Sequence, residues 1–379
     1  MDWKDTLIRA TYRLETAFDK LSHLVRHRLR TRPLMIQPFL GYGNASGMRI
    51  RARVLADKGI RPAREEDGLW RNFSNAIKRL ESSEYPQAHV QLSVGNTTAT
   101  VTCDNEGFVN HWLDYDSDDL HNNLSDDLHN SLSYAPVHYK LVKPGRPEPV
   151  LAEGAVLMPS RQATFGIISD VDDTVLQTGA TSTLSMLKKV LFGNARTRLP
   201  FAGVSAFYQA LCAEHNPIFY VSSSPWNLYD VLTEFFDLND IPQGPLMLRD
   251  WGIKPSELLP LGHKKHKLES IRAILDTYPD LPFVLIGDSG QADPEIYRDL
   301  VHEYPERIRA IYIRDVSARK RDSEIATLQD DVSNIGTPLL LAQSSLEAAK
   351  HAAELGLISQ DTVTSVQERQ QDDAKQPLL

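Results

Sequence analysis

Phe165-Gly166-Ile167-Ile168-Ser169-Asp170-Val171-Asp172-Asp173-Thr174 is the stretch from which the fold of this 379-residue chain is read. Phe165–Ile168 is a short apolar run bounded by polar residues, which fits a strand buried on both faces. Such strands belong to parallel sheets covered by helices on both sides. The run stops at Ser169, and an acid pair follows. On an extended chain residues i and i+2 point the same way, so Asp170 and Asp172 aim two carboxylates at one point. A carboxylate is ionised at neutral pH and needs no base to become a nucleophile. The second carboxyl group can give a proton to a leaving oxygen and later take one from water. Two neighbouring acids repel, and Mg2+, which takes hard oxygen ligands, is the cation expected to compensate.

Four further apolar runs follow at residues 217–222 (PIFYVS), 245–248 (PLML), 282–287 (PFVLIG) and 308–313 (IRAIYI). Helical stretches separate them, which predicts an α/β, Rossmann-like parallel sheet of about five strands with flanking helices. In such sheets ligands bind beyond the carboxyl ends of the strands. The second run ends in Ser222-Ser223-Ser224, where a small hydroxyl can bond a phosphoryl oxygen without blocking approach. Ser222, directly after the apolar residues, is the first choice and Ser223 the alternative. A serine triplet before Pro225 is also an ordinary turn. After the third run, HKKHKLESIRAIL (263–275) places Lys267 near the start of a helix with Leu268, Ile271 and Leu275 on its apolar side. A lysine there adds a point charge to the positive helix end, which suits phosphate. The fourth run ends in Asp288-Ser289-Gly290-Gln291-Ala292-Asp293. Asp288 is a natural metal ligand, and Asp293 can complete the site or hold the metal's water. Gly287 and Gly290 let the backbone approach a ligand. Thr174 is expected to brace the nucleophile loop. Arg249 can contact substrate or pair with an acid such as Asp250.

This order of acid pair, hydroxyl, lysine and acid pair resembles the four motifs of the haloacid dehalogenase superfamily. The resemblance implies nucleophile Asp170, acid/base Asp172, and a metal held by Asp170, the Asp172 carbonyl and Asp288. The second aspartate implies a phosphatase or phosphotransferase rather than a dehalogenase. ISDVDDTV (168–175), YVSSSPWNLY (220–229), HKKHKLESI (263–271), LIGDSGQADPEIY (285–297) and AIYIRDV (310–316) resemble more closely the catalytic domain of actin-patch-associated phosphatidate phosphatases of fungi and their bacterial relatives. QPFLGYGN (37–44) and RARVL (51–55) resemble the β-rich domain that precedes it. The substrate this implies is phosphatidate, hydrolysed to diacylglycerol and phosphate.

Domain organisation is expected as follows. Residues 1–32 form a basic amphipathic helix with eight Lys and Arg against four acids. It either packs on the next domain or docks reversibly on an anionic membrane. Residues 33–160 alternate polar and apolar residues between turn segments, which predicts a β-rich, sandwich-like domain. Leu69–Leu80 reads as a helical insertion. The tandem octad SDDLHNNL-SDDLHNSL (117–132) reads as a solvated acidic loop, because it lacks the glycine and closing glutamate of a calcium loop. Residues 161–335 are the phosphatase domain. Within it, TSTLSMLKKVLFGNARTRL (181–199) reads as a cap over the site or a helix packed on the sheet. Trp226 and Tyr229 line an entrance or serve packing. Residues 336–379 read as one helix, Pro338–Glu354, and a disordered polar tail.

Composition bounds the function. A net charge of −9 argues against nucleic-acid partners. The two cysteines have no partner at short spacing, which fits a reducing cytoplasm. No apolar run reaches bilayer length, so any membrane contact is expected to be peripheral. Three functions stay open: a phosphatase acting on a phospholipid, one acting on a soluble or protein-bound phosphate monoester, and a non-enzymatic adaptor. Asp172 speaks against the last. Composition and motifs leave the oligomeric state open.

Overall fold

A computed structural model describes residues 33–57, 84–115, 132–175, 201–213, 215–249, 260–316 and 321–375. The expected helices at 1–32 and 69–80, the octad repeat through residue 131, and the segment 181–199 lie outside those residues.

Seven strands precede the acid pair: β1 (Leu34–Asn44), β2 (Gly47–Ala56), β3 (His89–Val94), β4 (Thr97–Thr102), β5 (Phe108–Asp114), β6 (Ser133–Lys143) and β7 (Leu151–Met158). They form one sheet in the order β4-β3-β6-β7-β1-β2-β5. All neighbours are antiparallel except β1 and β7. The outermost strands β4 and β5 approach each other, so the sheet is curled almost closed. The sandwich expectation needs two stacked sheets, and here a single sheet wraps around its own apolar face. The sequence period explains the difference. The strict buried–exposed alternation of β6 specifies one covered face, but not whether a second sheet or the same sheet covers it. Ile50, Val54, Val90, Leu92, Val109 and Val137 fill the interior.

The second half contains β8 (Gly166–Ser169), α1 (Val204–Cys212), β9 (Ile218–Pro225), α2 (Tyr229–Leu238) and β10 (Leu246–Arg249). It continues through α3 (Pro260–Thr277), β11 (Phe283–Asp288), α4 (Asp293–Glu303), β12 (Ile308–Arg314), α5 (Asp322–Ser333), β13 (Leu339–Ala342), α6 (Ser345–Glu354) and α7 (Gln360–Lys375). Six strands form a parallel sheet in the order β10-β9-β8-β11-β12-β13. One apolar cluster packs α1, α2, α6 and α7 against one face. Another packs α3, α4 and α5 against the other.

This sheet has one strand more than the five expected. Leu339–Ala342 does not begin a helix, as its apolar character suggests, but pairs with β12. The helix begins at Ser345, capped by the Ser344 hydroxyl, which accepts from the Glu347 amide. The tail is helical as far as Lys375, with Val363 and Val366 buried against α1 and α6. Residues 336–375 therefore complete the parallel-sheet domain.

The two sheets share a joint. Tyr42 and Leu157 of the first belong to the apolar cluster around Phe219 and Tyr278 of the second. The Phe39 ring lies 4.5 Å from Trp226 and 4.7 Å from Tyr229. Tyr278 donates to the Gly43 carbonyl at 3.0 Å, and Asn44 to the Thr277 carbonyl at 2.7 Å. Trp226 and Tyr229 thus serve packing at this joint.

Candidate active site

Strand order decides where a site can form. From β8 the chain moves outward through β9 to β10. It then returns to the other side of β8 as β11 and moves outward again through β12 and β13. The reversal falls between β8 and β11, and crevices open at the carboxyl ends of strands at such a switch point. The acid pair leaves β8 there, and Asp288 closes β11 beside it.

Asp170 and Asp172 are both buried. The Asp170 amide is tied to the Ile286 carbonyl at 2.9 Å, which fixes the loop against β11. Lys267 Nζ lies 2.8 Å from Asp170 Oδ1 and 2.5 Å from Asp293 Oδ1. Thr174 Oγ1 donates to Asp170 Oδ2 at 3.2 Å, the bracing role expected of it. Asp173 turns the chain with a φ of 57°, a conformation costly for a non-glycine residue. Asp172 Oδ2 accepts from Ser222 at 2.8 Å and from Ser224 at 3.2 Å. The Ser222 hydroxyl also accepts from the Ser224 amide at 2.9 Å. Ser222 is thus committed to orienting Asp172. The Ser223 hydroxyl is buried without a hydrogen-bond partner among the described residues.

The fourth motif forms a compact turn. Asp288 Oδ1 accepts from the amides of Gly290 at 2.7 Å and Gln291 at 2.9 Å. Asp293 Oδ2 accepts from the Asp288 amide at 3.2 Å. Gly287 serves this turn rather than a ligand: a Cβ there would stand 2.7 Å from both the Asp293 Cβ and its Oδ2. Carboxylate oxygens of Asp170, Asp288 and Asp293 lie within 4.8 Å of one another.

Burial dominates the electrostatics. It drives the Asp170 carboxyl well above the usual carboxylate range, against the pull of Lys267 and with Asp293, Asp172 and Asp288 pushing it further up. Burial also raises Asp172, and the Ser222 bond opposes it. Asp288 is pushed up to about 8, first by burial and then by Asp293. Lys267 shows the reverse balance. Burial alone would lower it, yet Asp170, Asp293 and Asp288 together raise it, so it stays charged. Among the described residues, Asp170, Asp172, Asp288 and Asp293 thus cluster around a single lysine. That excess of buried hard oxygen donors suits a divalent cation.

Two positioning residues lie inside the segments LIGDSGQADPEIY and AIYIRDV, but the sequence does not give their partners. Gln291 Nε2 donates to the Asp172 carbonyl at 3.2 Å and to Asp288 Oδ2 at 3.0 Å, bridging the first and fourth motifs. Arg314, at the end of β12, donates to the Thr174 carbonyl at 3.2 Å. A glutamine inside a turn and an arginine closing a strand look like ordinary surface residues until the topology is known. Arg249 is buried at the end of β10, but no hydrogen bond or ion pair joins it to the four aspartates.

The fold and the site together define an α/β domain with a buried acid–lysine centre at the switch point of a parallel sheet. Residues 165–315 match the family model described as phosphatidate phosphatase APP1, catalytic domain. The chain is 32% identical over 175 residues to phosphatidate phosphatase APP1 of Saccharomyces cerevisiae, covering 45% of this chain and 30% of that protein. It is 33% identical over 163 residues to an uncharacterised protein of Schizosaccharomyces pombe, covering 40% of this chain and 25% of that one. The chain therefore spans less than a third of either relative's length. Among solved structures, a carbohydrate acetylesterase of Xanthomonas citri aligns over 78% of this chain and 75% of its own at 12% identity. Its TM-score of 0.25 is too low to carry a conclusion.

Proposed function

We propose that this protein is a magnesium-dependent phosphatase of the haloacid dehalogenase type that hydrolyses a phosphate monoester, phosphatidate, through an aspartyl-phosphate on Asp170. The observation that carries the reading is the pairing of two differently held carboxyl groups. Asp170 is gripped by Lys267 and Thr174, while Asp172 is held apart from it by Ser222 and Ser224. The matched family model supports the choice of substrate.

Asp170 attacks the phosphorus in line as the bond to the leaving alkoxide breaks. Asp172, whose carboxyl holds a proton more readily than usual because it is buried, passes that proton to the departing oxygen. Its carboxylate then takes a proton from water as the water oxygen attacks phosphorus. Inorganic phosphate leaves and the Asp170 carboxylate returns. Lys267 and the Ser223 hydroxyl would balance the phosphoryl oxygens, a role that the Lys267 charge beside Asp170 and the unpartnered Ser223 hydroxyl support. A bound Mg2+ would be held by Asp170, Asp288, Asp293 and the Asp172 carbonyl, and it would neutralise charge on those oxygens. The Gln291 amide presents the Asp172 carbonyl and Asp288 to the same point.

Catalysis at a membrane surface requires no span, and no helix among the described residues is long and apolar enough to cross a bilayer. The test is phosphate release from phosphatidate in mixed micelles, with Mg2+ or EDTA, for the natural chain and Asp170→Asn. Release that needs Mg2+ and vanishes in the variant supports the whole reading. Variant-sensitive release from a small aryl phosphate but not from phosphatidate keeps the chemistry and moves the substrate to a soluble or protein-bound monoester. No release from either leaves the adaptor.

A further inference from the structure

Two arginines of β2 point across the joint between the sheets, and only one of them is satisfied. Arg53 donates to the Glu106 carbonyl at 3.0 Å, to Asn227 at 2.7 Å and to Glu84 at 2.8 Å. Arg51, two residues earlier and so on the same face of the strand, has no carboxylate or carbonyl partner for its guanidinium among the described residues. Its Nη1 meets the Met247 sulfur, a weak acceptor. Its guanidinium carbon lies 5.6 Å from the Tyr42 ring and 5.8 Å from the Trp226 ring. The Arg51 side chain is half-buried against these rings and the sulfur, and its remaining N–H groups are open to a ligand or to water.

Arg51 borders a cavity of about 260 Å³ at the joint, and His266 of α3 borders it from the other side. His266 Nε2 is buried without a hydrogen-bond partner among the described residues. Phe39, Phe108 and Trp226 contribute apolar wall. One carboxylate lines the cavity, that of Asp104, and its Oδ1 is occupied by the amides of Glu106 at 2.9 Å and Phe108 at 2.8 Å. Positive charge accumulates around His266. Burial lowers its affinity for a proton, and Arg249 and Arg51 lower it further, while the Met247 backbone and Glu269 oppose them. Arg249 is buried and likewise without a counter-ion among the described residues.

We propose that this cavity is a second oxyanion-binding site, separate from the aspartate cluster, in which Arg51 and His266 hold a phosphate-type anion across the joint between the two sheets. Arg51 supplies a planar pair of N–H donors suited to two oxygens of one anion. His266 supplies a third contact from the helix that also carries Lys267: its neutral Nε2 accepts from a P–OH of the monobasic anion, or donates once the bound anion has brought it a proton. Successive helical residues point about 100° apart, so α3 can present His266 to the joint and Lys267 to the aspartates. The ligand is an inorganic phosphate or the headgroup of an anionic lipid, which share this chemistry.

The site is tested with the full chain in EDTA, and the substitutions separate it from any phosphate held at the aspartate cluster. Calorimetric titration with inorganic phosphate is expected to show saturable binding that weakens about tenfold or more in Arg51→Met and several-fold in His266→Gln. Without phosphate, Arg51→Met is expected to melt close to the natural chain, because a flexible apolar side chain keeps the packing against the Tyr42 and Trp226 rings. Titration with a water-soluble short-chain phosphatidate distinguishes the sources: tighter binding than phosphate assigns the site to a lipid headgroup, and equal binding to the free anion. Unchanged phosphate affinity in Arg51→Met and His266→Gln, or no saturable binding at millimolar phosphate, overturns the proposal.

Discussion

Replacing Lys267 by methionine removes the single cation from a buried nest of carboxylates, and the structure sets both the size and the pH dependence of the result. Lys267 makes two ion pairs, at 2.8 Å to Asp170 and 2.5 Å to Asp293, with every partner buried. Deleting one member of such a network costs about 3–5 kcal/mol, because the remaining charges are left without compensation. The carboxyl groups have an escape, since Asp170 already sits well above the usual range and takes up a proton once the lysine is gone. That proton is easy to acquire in mild acid and hard to acquire in base. The cost is therefore expected near the top of the range at pH 8 and to shrink to about 1–2 kcal/mol near pH 5.5. For a domain of this size 3 kcal/mol lowers the melting temperature by about 6–12 °C. Urea denaturation in EDTA at the two pH values, followed by circular dichroism, measures the difference. Mg2+ is expected to restore part of the loss at pH 8. A cost below about 1 kcal/mol at pH 8, or one that does not change with pH, would refute the description of the site as a charge-balanced nest.

Asp288 offers a cleaner titration. Its folded-state carboxyl lies at about 8 against an ordinary 3.8, so the folded protein binds a proton that the unfolded chain releases between those values. Stability in EDTA should fall as pH rises through that window, by at most about 1.4 kcal/mol per unit from this group, and Asp288→Asn should flatten the slope of urea midpoint against pH. Gln291→Ala removes two donors that span the first and fourth motifs, and it should cost about 1–2 kcal/mol in EDTA and less with saturating Mg2+. Equal losses in both conditions would sever that amide from the cation site. Phe39→Ala empties the aromatic joint between the sheets, where Phe39 is 2% exposed, and should destabilise by about 3–5 kcal/mol in urea.

The chemistry of the site is legible because it is written at strand ends. Strand Phe283–Asp288 can be found from its apolar run alone, and the same run announces Asp288. Asp170, Asp172 and Lys267 are readable for the same reason, and the fold brings them together as their positions imply. What stays hidden depends on neighbours remote in sequence. The apolar run before it ranks Ser222 ahead of Ser223, but only the position of the Asp172 carboxylate shows that the Ser222 hydroxyl bonds it while the Ser223 hydroxyl does not. Leu339–Ala342 is an apolar tetrad that fits a strand or a helix start equally well, until β12 supplies its hydrogen bonds. The α7 segment is crowded with glutamine, aspartate and other polar side chains, yet two valines are enough to bury one side of it. Arg51 and Arg53 differ by two residues and by nothing local, although one is saturated and the other is not.

The outermost strand of the parallel sheet has a practical meaning. Similarity to the family model ends at residue 315, immediately after β12. Cutting the gene there would leave β12 as a bare edge whose amides and carbonyls have lost β13. It would also strip α6 and α7 from the apolar face they cover. The stretch that matches the family model is thus shorter than the parallel-sheet domain. A fragment trimmed to the boundaries of homology would be expected to aggregate through that edge, and its silence in an assay would report on solubility rather than on catalysis.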